Sequence, residues 1–129
     1  MKQMRWSLLV WGLGLLGLLS ACGPAPAEVP ATNPAIRGGI TNHQVSTGPN
    51  NDILGSILIE GQVESDTSFD KAAVTITAQT RIYEQLGQER RSTTFEALRV
   101  GQRVEAWFDG PVAESYPVQA RASDVVILN

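Results

Sequence analysis

The chain has 129 residues, 43% of them hydrophobic and 18% charged, with one cysteine, one histidine and a net charge of −3. That is enough apolar material for one folded domain and too much for a wholly disordered chain. A lone cysteine excludes an intrachain disulfide framework and a cysteine-built structural zinc site, and the acidic balance speaks against a protein that coats nucleic acid.

Residues 1–21 read as a lipoprotein signal peptide. Lys2 and Arg5 precede an apolar run from Trp6 to Leu19, too short for a bilayer span of about 20 residues but of signal-peptide length. The run ends in Leu19-Ser20-Ala21-Cys22, which looks like a bacterial lipobox. In lipoproteins of that type the cysteine sulfur is acylated and the chain is cut before it. Cys22 is therefore the expected lipidation site, and the lipid bilayer the expected first partner. The alternatives are an ordinary signal peptide with a chance cysteine, or a short uncleaved anchor. Cleavage leaves eight basic and thirteen acidic residues, a mature charge of −5. The expected location is extracytoplasmic, anchored to the cell membrane, or to the outer membrane if the host has two.

Residues 22–35 follow as a lipidated cysteine and a tether. Residues 23–35 hold four of the seven prolines and almost no large apolar side chain. Such a stretch is expected to be extended, reaching some 40 Å at about 3.1 Å per residue.

From Ile36 to Asn129 the pattern has period two. Ile36–Thr41 and Ile53–Ile59 read as strands. Along Ala72–Ile82, Val74, Ile76, Ala78 and Ile82 alternate with Thr75, Thr77, Gln79 and Arg81, predicting one strand with one buried face. Val104, Ala106 and Phe108 alternate with Glu105, Trp107 and Asp109, and Val118, Ala120 and Ala122 with Gln119, Arg121 and Ser123. The phase blurs at Asp124, which implies a bulge or burial on both sides before Leu128. Thr93 and Glu96 have capping-box spacing, Phe95 and Leu98 share a face, and Gly101 closes the segment, so a short helix is expected between strands three and four. The fold class predicted is all-β: a small five-stranded OB-like Greek-key barrel with one short helix in that slot. An open meander or small sandwich is the alternative.

Ile36–Asn42, Ile57–Gly61, Ala73–Thr77, Phe95–Gln102 and above all Trp-Phe-Asp-Gly-Pro-Val-Ala-Glu-Ser-Tyr-Pro-Val-Gln-Ala (107–120) resemble the YobA-like domain of unknown function found in bacterial lipoproteins. The resemblance spans nearly all of 36–129 and implies a small β-barrel lipoprotein domain. It implies no activity. Ser46–Asp52 departs from it as an Asn-rich insertion.

Chemistry is sparse. His43 lies in an expected loop and could pair with Ser115, but no third group orients it. Glu64, Asp66, Ser68 and Asp70 alternate as calcium-type oxygens but lack the glycine and distal glutamate of an EF-hand, so a solvated acidic turn is the default and no metal or other cofactor is assigned. Arg90-Arg91 has no interleaved aromatics, which leaves nucleic acid off the partner list. The remaining feature is the loop 110–117. In an OB-type barrel it joins the first loop at the usual binding face, bringing Asn42 and His43 toward Glu114, Ser115 and Tyr116. Trp107 and Tyr116 either stack on a sugar or peptide side chain or pack as structure. The expectation is a non-catalytic binding module for an envelope protein or carbohydrate, with a structural or assembly accessory as the alternative; a cell-wall hydrolase lacks a nucleophile, acid pair or metal cluster.

Overall fold

A computed structural model describes residues 29–49 and 51–128. The expected signal peptide and Cys22 lie outside them. Among the described residues no helix is long and apolar enough to cross a membrane.

Five strands close a ring: β1 (Ile36–Val45), β2 (Ile53–Gly61), β3 (Lys71–Thr77), β6 (Arg103–Ala113) and β7 (Val118–Ile127). Each is antiparallel to its ring neighbours except the β3–β7 pair, which runs parallel and completes the circuit β1-β2-β3-β7-β6. This is the OB-type connectivity, and closure removes the edges a small sheet would otherwise expose. The alternating apolar positions fill the interior: Ile36, Ile40, Ile57, Ile59, Val74, Ile76, Val104 and Val125 are all essentially without solvent contact. Burying each such side chain stabilises the fold by about 1.5–3 kcal/mol, before the entropy of ordering it is counted.

Two expectations need correction. Ala72–Ile82 is two strands, because Thr77–Thr80 form a turn. The Thr80 amide donates to the Thr77 carbonyl at 3.1 Å, and the Thr77 amide to the Thr80 hydroxyl at 2.9 Å. β3 and the following β4 (Arg81–Leu86) both run parallel to β7, Ala72–Thr75 against Val118–Arg121 and Arg81–Glu84 against Asp124–Ile127. The chain thus follows one edge of β7 throughout and steps out only at the turn, where the Thr80 hydroxyl donates to the Ala122 carbonyl at 2.8 Å. β4 folds back on β5 (Glu89–Thr93) as a hairpin that the sequence reading did not contain.

The expected short helix is a single 3-10 turn, Phe95–Ala97. Thr93 is the last residue of β5, so the N-cap falls on Thr94, which makes no side-chain cap bond. Phe95 and Leu98 nevertheless point inward, closing one end of the barrel.

A bulge at Thr41 decides the first site residues. Ile40 pairs with Ile59, but Asn42 pairs with Leu58 and His43 with Ile57. The extra residue reverses the alternation, so Asn42 faces outward and His43 inward.

Candidate functional site: a polar groove on the outer face

The outward positions of β1, β2, β3 and β7 are mostly polar, with Leu58 and Ala73 among them, and three depressions lie across them. The largest, about 870 Å³, lies over the β3–β7 seam beside the threonine turn, lined by Thr75, Thr77, Gln79, Arg81, Arg121 and Ser123 with Asp52, Ile53 and Asp109. Thr75 and Ile53 also line a second of about 290 Å³, with Gln44 and Ser56. Gln44 and Ser56 then line a third of about 240 Å³, with Asn42, Leu58, Ala73 and Pro117. Shared lining residues set the three side by side, a groove-like row across one face.

Its chemistry follows from its walls. The middle is amides and hydroxyls, with the exposed apolar side chains of Val45 and Ile53 at the rim. At the wide end each arginine is held by a carboxylate. Arg81 Nε and Nη2 lie 3.1 and 3.2 Å from the two carboxylate oxygens of Asp124, and Arg121 Nη2 lies 3.3 Å from Asp109 Oδ2. The charge of each arginine is thus balanced locally, while more than half of each side chain stays open to solvent. Asp124 raises the basicity of Arg81, first by hydrogen bonding and then through its charge. At the narrow end the Thr41 hydroxyl donates to Glu60 at 2.7 Å, and Lys71 lies 3.8 Å from the same carboxylate.

The sequence-predicted residues divide. Asn42 lines the groove, and Pro117 brings the 114–117 loop to it. Tyr116 is 70% exposed beside this end; its hydroxyl donates to Asp70 at 3.3 Å, and Lys71 sits 5.7 Å from its ring. Its hydroxyl titrates above the ordinary value, through desolvation first and then the Asp70 charge. Ser115 serves its own turn, donating to the Pro117 carbonyl at 2.8 Å, and Glu114 is exposed on the same loop. His43 stacks on Phe95 inside the barrel end, ring centroids 4.8 Å apart, and does not reach Ser115 as a catalytic partner would. Trp107 takes the packing role of the two expected for it. It is only 6% exposed, clustered with Tyr83, Val126, Val29 and Leu128, and its indole N–H donates to the Thr32 carbonyl at 2.8 Å. It offers no stacking surface.

The acidic row is also committed within the protein. Arg37 binds Glu64, Asp66 and Glu105, the last two each at 2.7 Å, while Asp70 receives Tyr116. Among the described residues no group of three His, Cys, Asp or Glu is placed to hold a metal.

Residues missed in the sequence are those of the wide end: Gln79, Arg81, Arg121 and Ser123. Their only signal was polarity on the outer phase of two strands that adjoin only in three dimensions.

A protein-family model described as "Protein of unknown function (DUF3221)" matches residues 54–129. The chain belongs to that family. The match runs from Leu54 in β2 through β7, while β1, which closes the ring between β2 and β6, lies outside it. Among curated proteins and among solved structures, none matches.

Proposed function

We propose that this DUF3221 protein is a lipid-anchored, extracytoplasmic binding module, non-catalytic, whose groove holds an extended neutral polar chain, an envelope carbohydrate. The carrying observation is the row of adjoining depressions across β1, β2 and β3, where amide and hydroxyl side chains alternate with Ile53, Leu58 and Ala73 and charge-balanced arginines close one end. Such walls exchange hydrogen bonds with sugar hydroxyls, and Val45 and Ile53 offer an apolar edge to a sugar's C–H face. The lipobox-like Leu19–Cys22 and the resemblance to YobA-like lipoprotein domains support the anchor and the address.

The test is titration of the mature chain, with Cys22→Ser to keep it soluble, against envelope glycan fragments by NMR. Shifts should concentrate at Asn42, Gln44, Ser56, Thr75 and Gln79. Thr75→Arg should abolish them without altering the melting temperature, since Thr75 faces outward. Glycan fragments that leave every groove resonance unmoved would reject the carbohydrate reading, and a structural or assembly accessory would replace it. Acylation is read separately, by mass spectrometry of the membrane fraction with Cys22→Ser as the negative control.

A further inference from the structure

The proline-rich stretch before β1 is not all tether. Residues 29–35 are built into the barrel wall. The Ala35 amide donates to the Ala106 carbonyl at 2.9 Å, extending the β1–β6 pairing. The Ala35 carbonyl in turn accepts the amides of Ser68 and Phe69 at 2.9 and 3.1 Å. Three residues earlier the Thr32 carbonyl holds the Trp107 indole, and Val29 packs on the cluster of Tyr83, Trp107 and Val126. A buried indole needs a partner for its N–H, and this strap supplies both the cover and the acceptor.

This docking shortens the leash. Between Cys22 and Val29 lie six residues, 23–28. At about 3.1 Å per residue they reach roughly 20 Å, half the span of the whole proline-rich stretch. The leash also leaves the barrel from a defined place, beside the β6–β7 seam where Trp107 and Val126 sit. In the ring order β1-β2-β3-β7-β6, β2 lies two strands from that seam by either route. The groove's middle and narrow end are on β1, β2 and β3, while its wide end reaches the seam through Asp109 and Arg121.

We propose that residues 29–35 are a docked strap that holds the β6–β7 seam close to the lipid headgroups and turns the groove's middle and narrow end, on β1 and β2, away from them. The proposal rests on the reading that Cys22 is acylated. Its partner is a lipid surface approached at a fixed face, not a surface swept freely at the end of a long tether.

The sequence supplies the probe. Once residues 1–21 are removed, Trp107 is the one tryptophan left. The lipidated mature protein is reconstituted into vesicles carrying a dansyl-labelled headgroup lipid, and energy transfer from Trp107 is measured. Two variants accompany it. One inserts twelve Pro/Ala residues between Glu28 and Val29, adding about 37 Å of leash with the strap intact. The other, Val29→Asp with Ala35→Pro, removes the apolar contact and the Ala35 donor. Strong transfer in the parent, most of it lost on insertion, is the expected result. In the undocked variant the Trp107 emission should shift to the red and its quenching by acrylamide should rise. Vesicle-bound protein whose transfer is weak, or indifferent to the insertion, overturns the proposal while leaving the anchor intact. Protein that carries no acyl chain and stays off the vesicles overturns the anchor reading and the proposal with it. Unchanged Trp107 emission in the undocked variant overturns the strap itself.

Discussion

Arg81 and Asp124 face each other across the parallel β4–β7 pair, the arginine 64% exposed and the aspartate wholly buried. The carboxylate lies beneath the guanidinium, which donates from Nη2 to Oδ1, holds Nε in ion contact with Oδ2 and leaves Nη1 on the side turned from it. A buried charge is tolerated only while paired, so the bond pins β4 to β7 just after the threonine turn and fixes the wall of the groove's wide end. Arg81→Met should therefore destabilise the protein by stranding the carboxylate. Arg81→Met combined with Asp124→Leu should recover most of the loss, because an apolar pair of similar size needs no counter-charge. Urea denaturation of the three variants measures this, and equal loss in single and double would show that the pair is not what holds β4.

Trp107 and Tyr116, which the sequence cannot tell apart as stacking or packing residues, separate by stability. Trp107→Ala removes a side chain buried under the strap and should cost about 3–5 kcal/mol. Tyr116→Ala removes an exposed ring and should leave the melting temperature unchanged. Chemical denaturation followed by circular dichroism, which needs no tryptophan signal, distinguishes them.

Gly55 marks a close approach on β2. A Cβ there would lie 2.1 Å from the Gln44 carbonyl oxygen and 2.5 Å from a Phe95 ring carbon. Gly55→Ala should thus destabilise by about 1–3 kcal/mol, the usual cost of overpacking. Phe95→Leu should not rescue it, because the closer clash is with backbone. A thermal melt of the double variant decides whether backbone or ring sets the limit.

How far the sequence led can be seen strand by strand. Val74 and Ile76, Val104 and Ala106, and Ala120 and Ala122 alternate with polar neighbours because one face meets the core, and period two makes that readable. The inward turn of His43 was not readable, since a bulge at Thr41 leaves no compositional mark. Neither was the β4–β5 hairpin: Glu84 and Gln85 are half-buried and Glu89, Arg90 and Arg91 exposed, all of them polar, so no apolar alternation runs through it, and Gly87 with φ +64° is its main local sign. Trp107 stands on the outer phase of β6, where alternation predicts exposure. Its cover comes from Thr32, 75 residues away, and such long-range contacts have no local signature. The groove was half legible, its residues visibly polar and outward but their adjacency set by ring closure.

The Arg37 cluster gives the protein's acid limit. Arg37 lies 2.7 Å from both Asp66 and Glu105 and also binds Glu64, tying the 64–66 loop to β1 and β6. Hydrogen bonding to Asp66 is the largest cause that raises the arginine's basicity, and the same bond holds the Asp66 carboxyl below its ordinary value of 3.8. Glu96 is also held below its ordinary 4.5, by backbone hydrogen bonding first and then by Thr94. A depressed carboxyl stabilises the fold in full above its unfolded value, and that contribution is lost as pH falls through the lower folded value. The melting temperature should accordingly be flat toward neutral pH and fall below about 4. Arg37→Met should lower it at neutral pH, by less than the loss of a dry pair because Glu64 and Asp66 keep solvent contact. The gap between parent and variant should then narrow as the medium is acidified, since the parent loses what the variant already lacks. Differential scanning calorimetry across the acid range measures both curves; parallel curves would mean that Arg37 does not couple to these carboxylates.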